Sequence, residues 1–133
     1  MTLFRFFIAV AAVLGALAVI LGAFGAHALK PKLTADQLNT FETGIRYHFY
    51  HALALLVLAF ISMKLQSTLL PYVGYLWITG VVLFSGSIYL LATKAILGIS
   101  HWNWLGPVTP IGGTLLIIGW ILLLISVLIG DRV

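Results

Sequence analysis

The sequence predicts an all-α fold: a four-transmembrane-helix bundle with an interfacial amphipathic segment before the second span. Three observations predict it. Of 133 residues, 62% are hydrophobic and 8% are charged, whereas about a quarter of a soluble domain is charged. The apolar residues gather into four runs, each close to the roughly 20 residues that a hydrocarbon core demands. Short breaks carrying Pro, Gly, Lys and Trp separate the runs. The whole chain, residues 1–133, reads as one integral membrane domain.

The first span covers about residues 6–29. It follows Arg5 and ends in Ala26-His27-Ala28, an A-x-A pattern of the kind found at signal-peptide cleavage sites, but its apolar core is longer than a signal h-region. Ala11, Gly15, Ala18, Gly22 and Gly25 step by four and three along one face, and Ala18, Gly22 and Ala26 form a second row. Such seams let helix backbones approach closely in lipid. Lys30-Pro31-Lys32 breaks the run, since a proline disfavours helix at the residue before it.

Thr34 then reads as an N-cap with Gln37 three residues on, the pattern of a capping box. Leu38, Phe41, Ile45 and His48 share a stripe, with Gln37, Thr40, Glu42, Thr43 and Arg46 polar around it. Residues 35–44 are read as an amphipathic lead-in at the interface. The second span follows at about 45–63. One helix over both would be roughly 43 Å long and would either protrude or bend near Gly44.

The short connection from Lys64 to Pro71 predicts an antiparallel hairpin into the third span, about 72–92, where Gly80, Ser85, Gly86 and Ser87 are close-packing or kink positions. Lys94 follows and can snorkel to the headgroups. Residues 98–110, GISHWNWLGPVTP, read as an interfacial loop with Trp102 and Trp104 at headgroup level. The fourth span, about 111–129, opens after Pro110, and Asp131-Arg132-Val133 is the tail.

Several function classes drop out. The net charge of +4 comes from seven Lys and Arg against three acids. No basic cluster exists to track phosphates, so no nucleic-acid partner is expected. With no cysteine there is no disulfide, thiolate metal site or Cys nucleophile. Phosphate loops and zinc-protease motifs are missing. Ser85 and Ser87 lack the G-x-S-x-G turn of a hydrolase, and are read as bonding back to their own helix or packing. No enzyme and no cofactor is expected. Lys and Arg divide three (Arg5, Lys64, Arg132) against four (Lys30, Lys32, Arg46, Lys94) between the two faces, so the positive-inside rule sets no orientation.

Four blocks carry a resemblance: GAFGAHAL (22–29), TGIRYHFYHALALL (43–56), LFSGSIYLL (83–91) and LGPVTPIGG (105–113). In this order, over nearly the whole chain, they resemble domain-of-unknown-function family 423, small four-helix membrane proteins of bacteria. The resemblance implies the fold and a multi-pass location in the bacterial inner (plasma) membrane. The family carries no established activity, so it implies no catalytic residue.

Topology gathers the polar residues. His27 ends the first span; Glu42, Arg46, Tyr47, His48, Tyr50 and His51 open the second; Lys94 ends the third; His101 and Trp102 precede the fourth. In a four-span topology all lie at one membrane face, while the other holds no histidine. Glu42 and Arg46 are placed i,i+4 to pair, as are Tyr47 and His51, and His48 and His51 are i,i+3 neighbours. His51 is the best candidate for an intramembrane polar group, and ionisable groups at such depth mark sites.

The leading function is a non-enzymatic binding or assembly module, in which this His/Arg-rich face recognises a lipid headgroup, a small ligand or a membrane partner. Arg46 and Lys94 would take the anionic group, with Trp102 and Trp104 around it. The bilayer is the first partner, and the small-residue rows leave a homo-oligomer or a membrane-protein partner open. Two alternatives stand beside it: a small transporter or proton-coupled permeation element, and a haem or metal protein ligated by converging His27, His48, His51 and His101.

Overall fold

The computed structural model describes residues 2–132. Four helices account for the fold: α1 (Leu3–Phe24), α2 (Ala35–Ile61), α3 (Leu70–Thr93) and α4 (Leu105–Ile129). All four are long and apolar enough to cross a membrane, and α1 does so together with a π-helical turn, Gly25–Leu29, at its end. Two two-residue strands, β1 (Leu65–Gln66) and β2 (Asp131–Arg132), pair antiparallel and tie the chain end after α4 to the α2–α3 connection. The side chains of Asp131 and Arg132, part of the predicted tail, and Val133 lie outside the described residues.

The predicted capping box forms. Gln37 N donates to Thr34 Oγ1 at 3.2 Å, and Thr34 N donates to Gln37 Oε1 at 2.9 Å. Two of the otherwise orphaned amides at the start of α2 are thereby satisfied. The helix then runs unbroken through Gly44 to Ile61. The interfacial segment is therefore the first turns of one long helix, about 40 Å by its 27 residues, with no break at Gly44. Gly44 is tied to the neighbouring helix: Ser85 Oγ on α3 donates to its carbonyl at 2.7 Å. A Cβ there would meet Tyr89 and Ile88 within 3 Å.

Two other boundaries differ from the sequence expectation. Pro31 does not push Lys30 out of helical geometry (φ −51°, ψ −45°); the turn closes through Lys32 N and Leu33 N, both donating to Leu29 O. At the other end, the 98–110 loop is shorter than expected, because α4 starts at Leu105 and carries Pro110 inside it. Pro107 falls in the first turn, where no amide partner is needed. The loop proper begins where Gly98, at φ +70°, reverses the chain: Ile99 N donates to Lys94 O and Gly98 N to Ala95 O, a Schellman closure.

Consecutive helices pack on one another, α1 on α2, α2 on α3 and α3 on α4. The inner helices α2 and α3 bury 39% and 44% of their most apolar windows, and the outer ones 22% each, which leaves α1 and α4 facing lipid on their outer sides. The tightest packing is not on the predicted α1 seam. Gly15 has open space around it, and a Cβ on Gly22 would meet only Ile45, at an ordinary 3.8 Å. Within α1 and its π turn only Gly25 is close, with the Phe41 ring 3.0 Å from a Cβ position. The close seam joins α3 to α4: Gly112 rests on the Phe84 backbone, Gly80 against Leu116, and Gly119 under the indole of Trp77.

The apolar core comes in two pieces. A large cluster includes Phe7, Leu14, Leu55, Leu58, Val73, Trp77 and Leu116. A small one holds Leu29, Phe41 and Ala92, with Ile45 and Tyr89 packed against it. Between them α2 and α3 contribute buried His48, His51, Ser85 and Ser87. A polar layer thus divides the bundle.

Candidate functional site

The polar layer sits at mid-height. His48 is the middle residue of α2. His51, one turn further, reaches Trp120, just past the middle of α4. Because residues 35–44 belong to the same helix, the second span starts earlier than the sequence expectation, and His48 joins His51 inside the bundle.

His51 is fully bonded. Its Nδ1 lies 2.8 Å from the Tyr47 carbonyl, which can only accept. Its Nε2 lies 3.1 Å from Trp120 Nε1, which can only donate. The two partners together fix the neutral, Nδ1-protonated tautomer. The ring also packs edge-on to Trp77 (5.9 Å) and Trp120 (6.1 Å), which themselves approach at 4.7 Å. The i,i+4 pairing of Tyr47 with His51 therefore runs through the Tyr47 carbonyl.

His48 bonds through Nδ1 to the Tyr89 hydroxyl at 2.9 Å. Its Nε2 is buried without a hydrogen-bond partner, as is Trp77 Nε1. Ser85 reaches across to Gly44 O, whereas Ser87 bonds back to Phe84 O as expected and also meets Thr109 Oγ1 of α4 at 2.6 Å. Beyond this layer Phe7, Leu55, Leu58 and Val73 are fully buried.

The remaining predicted residues lie elsewhere. Glu42 and Arg46 are exposed on the α1 side of α2. Their predicted ion pair does not form; Arg46 Nη2 instead donates to Thr43 Oγ1 at 3.1 Å. Tyr50 is exposed and stacks edge-on to Tyr47 at 6.1 Å. His27 bonds Ala23 O in its own turn at 2.9 Å. Lys94 caps α3 and is exposed, as is His101, which packs against Trp102; Trp102 stacks on Trp104 at 5.5 Å. The single polar face therefore separates into a buried layer, an exposed pair on α2, and an aromatic loop. Among the described residues no three His, Asp or Glu side chains come together to hold a metal ion, so the four histidines do not converge.

Two grooves open beside the layer. One, about 460 Å³, runs between α1 and α2, lined by Ala18, Val19, Gly22, Ala23, Ile45, Arg46, Phe49 and Tyr50. A smaller space of about 250 Å³ continues it, bounded by Gly22, Ile45, Glu42 and Arg46. The other, about 320 Å³, lies between α2 and α4.

Sequence reasoning missed Tyr89, Trp77 and Trp120. A signal existed: Trp77 and Trp120 stand amid aliphatic spans, away from the interfaces where membrane tryptophans collect.

The comparisons with known proteins agree with this architecture. The family model described as "Protein of unknown function (DUF423)" matches residues 21–113. UPF0382 membrane protein YwdK of Bacillus subtilis is 42% identical over 92% of this chain and 95% of its own length. UPF0382 membrane protein SAB0533 of Staphylococcus aureus is 41% identical over 92% and 94%. UPF0382 inner membrane protein YgdD of Escherichia coli K12 is 38% identical over 92% and 88%. No solved structure matches. With four apolar spans and relatives along nearly its full length, the chain belongs to the DUF423 family and is a multi-pass protein of the bacterial inner membrane.

Proposed function

We propose that the protein is a non-enzymatic binding module that holds a zwitterionic lipid in the groove between α1 and α2. The observation that carries this reading is the pairing of an apolar groove with two unlike charges at one end. Ala18, Val19, Ile45 and Phe49 line the long part, while Arg46 and Glu42 flank its continuation without closing on each other. An acyl chain suits the first and a phosphoethanolamine head suits the second: phosphate on Arg46, ammonium on Glu42. The Arg46 guanidinium borders an apolar groove and is held only by the Thr43 hydroxyl. Such a charge is unfavourable without a counter-charge, and an anionic group supplies one.

The test is native mass spectrometry with phosphatidylethanolamine, phosphatidylglycerol and phosphatidylcholine of matched chains. Phosphatidylethanolamine binds tightest, because only it offers both a phosphate and a hydrogen-bonding ammonium. Arg46→Ala weakens it about tenfold, the scale of one lost charge-assisted contact. Glu42→Gln removes the preference over phosphatidylglycerol. Equal retention of all three lipids, or an Arg46→Ala variant that binds as well as the parent, overturns the reading.

A further inference from the structure

We propose that the groove between α2 and α4 is a separate site for a flat, membrane-soluble phenol, whose hydroxyl inserts between His51 Nε2 and Trp120 Nε1. The reasoning starts from directionality. His51 Nδ1 gives its proton to the Tyr47 carbonyl, so Nε2 presents a lone pair, and Trp120 Nε1 presents an N–H toward it at 3.1 Å. A group that enters this bond must donate to one end and accept from the other. A hydroxyl does both; an ether or ketone only accepts, and an ammonium only donates.

The surroundings select for shape. The groove is about 320 Å³, within the range of small-ligand pockets. Its walls are the rings of Tyr47, Phe84 and Trp120, with Ile117 beside them and no side chain at Gly113. Aromatic walls favour a planar ring stacked or edge-on. Trp120 is 48% exposed and Tyr47 44%, so these two rings are not locked in the core, whereas His51 is 5% exposed and stays fixed. The lining residues lie within the apolar spans of α2, α3 and α4, so the ligand arrives from the bilayer. In hydrocarbon a phenol O–H has no competing water, which makes the buried imidazole its natural acceptor. No covalent bond changes and no proton is transferred.

The experiment compares 4-hexylphenol with its methyl ether, 4-hexylanisole, on the purified protein in detergent micelles, read by the indole N–H resonance of Trp120 and by the imidazole nitrogens of His51. The phenol binds saturably, at least about tenfold tighter than the ether, and moves both sets of signals. Trp120→Phe, a change at a half-exposed ring, keeps the phenol-over-ether preference, because the His51 acceptor remains; His51→Phe abolishes it. Equal binding of phenol and ether to the parent protein overturns the proposal, as does a preference that survives His51→Phe or disappears in Trp120→Phe. Since Arg46 and Glu42 do not touch this groove, the phenol preference is unchanged in the lipid-site variants.

Discussion

Trp120 on α4 donates its indole N–H to Nε2 of His51 on α2 across 3.1 Å. Two helices with no loop between them are thereby joined at mid-span, where hydrocarbon outside the bundle offers no alternative partner. The bond also decides which nitrogen of His51 carries the proton, since the other end of the ring faces the Tyr47 carbonyl.

Removing that donor has a bounded effect. Trp120→Phe is expected to lower unfolding stability in detergent by about 1 kcal/mol, because interhelical hydrogen bonds in membranes are worth roughly 0.6 and at most about 1.7 kcal/mol. Trp104→Phe, at an exposed loop position, leaves stability unchanged. Equal melting shifts for the two variants would show that the His51 bond contributes nothing.

Nitrogen-15 spectra of selectively labelled histidine should show His51 as the neutral tautomer protonated at Nδ1. A signal from the Nε2-protonated form would contradict the pairing with Trp120, because two N–H groups would then face each other.

The glycine seam makes a sharp contrast. Gly112→Ala drives a methyl into the backbone of Phe84, while Gly15→Ala meets open space. Overpacking of this kind is destabilising by about 1–3 kcal/mol. Thermal unfolding of the two variants is expected to show a large loss for the first and none for the second.

Thr34→Ala removes one half of the capping box, worth about 1 kcal/mol. The expected result is local: faster amide exchange in the first turns of α2, with His48 and His51 unaffected because Ser85 holds Gly44 between them and the cap. Uniform exchange along α2 would mean that the cap stabilises the whole span.

Much of the fold was legible because lipid imposes simple demands. Hydrocarbon thickness marks four runs, and the Thr34–Gln37 cap marks where α2 begins. The sequence also singled out His51 as an intramembrane group and Gly80 as a close-packing position. What escaped was register between helices. Whether Glu42 pairs with Arg46 depends on which way a long side chain leans. Whether Gly22 or Gly112 is the tight contact depends on which helices cross closely, and spacing along one helix does not contain that. The same holds for Tyr89, Trp77 and Trp120, which join the site only through neighbours 41 and 69 positions away in the chain or across ring faces. His48 looked interfacial because the polar residues before it look like surface; one continuous helix turns Glu42 and Arg46 outward and the imidazole inward.

The uneven fit of the glycines gives the two sides of the molecule different tolerance for added bulk. Where Gly112 lies on the Phe84 backbone, α3 and α4 leave no room for a side chain. Around Gly15 nothing lies within 4 Å, and beside Gly22 only Ile45 does, at 3.8 Å. Side chains placed there are accommodated without unseating α1, which buried Phe7, Ala11 and Ala18 and the close Gly25–Phe41 contact hold in the bundle.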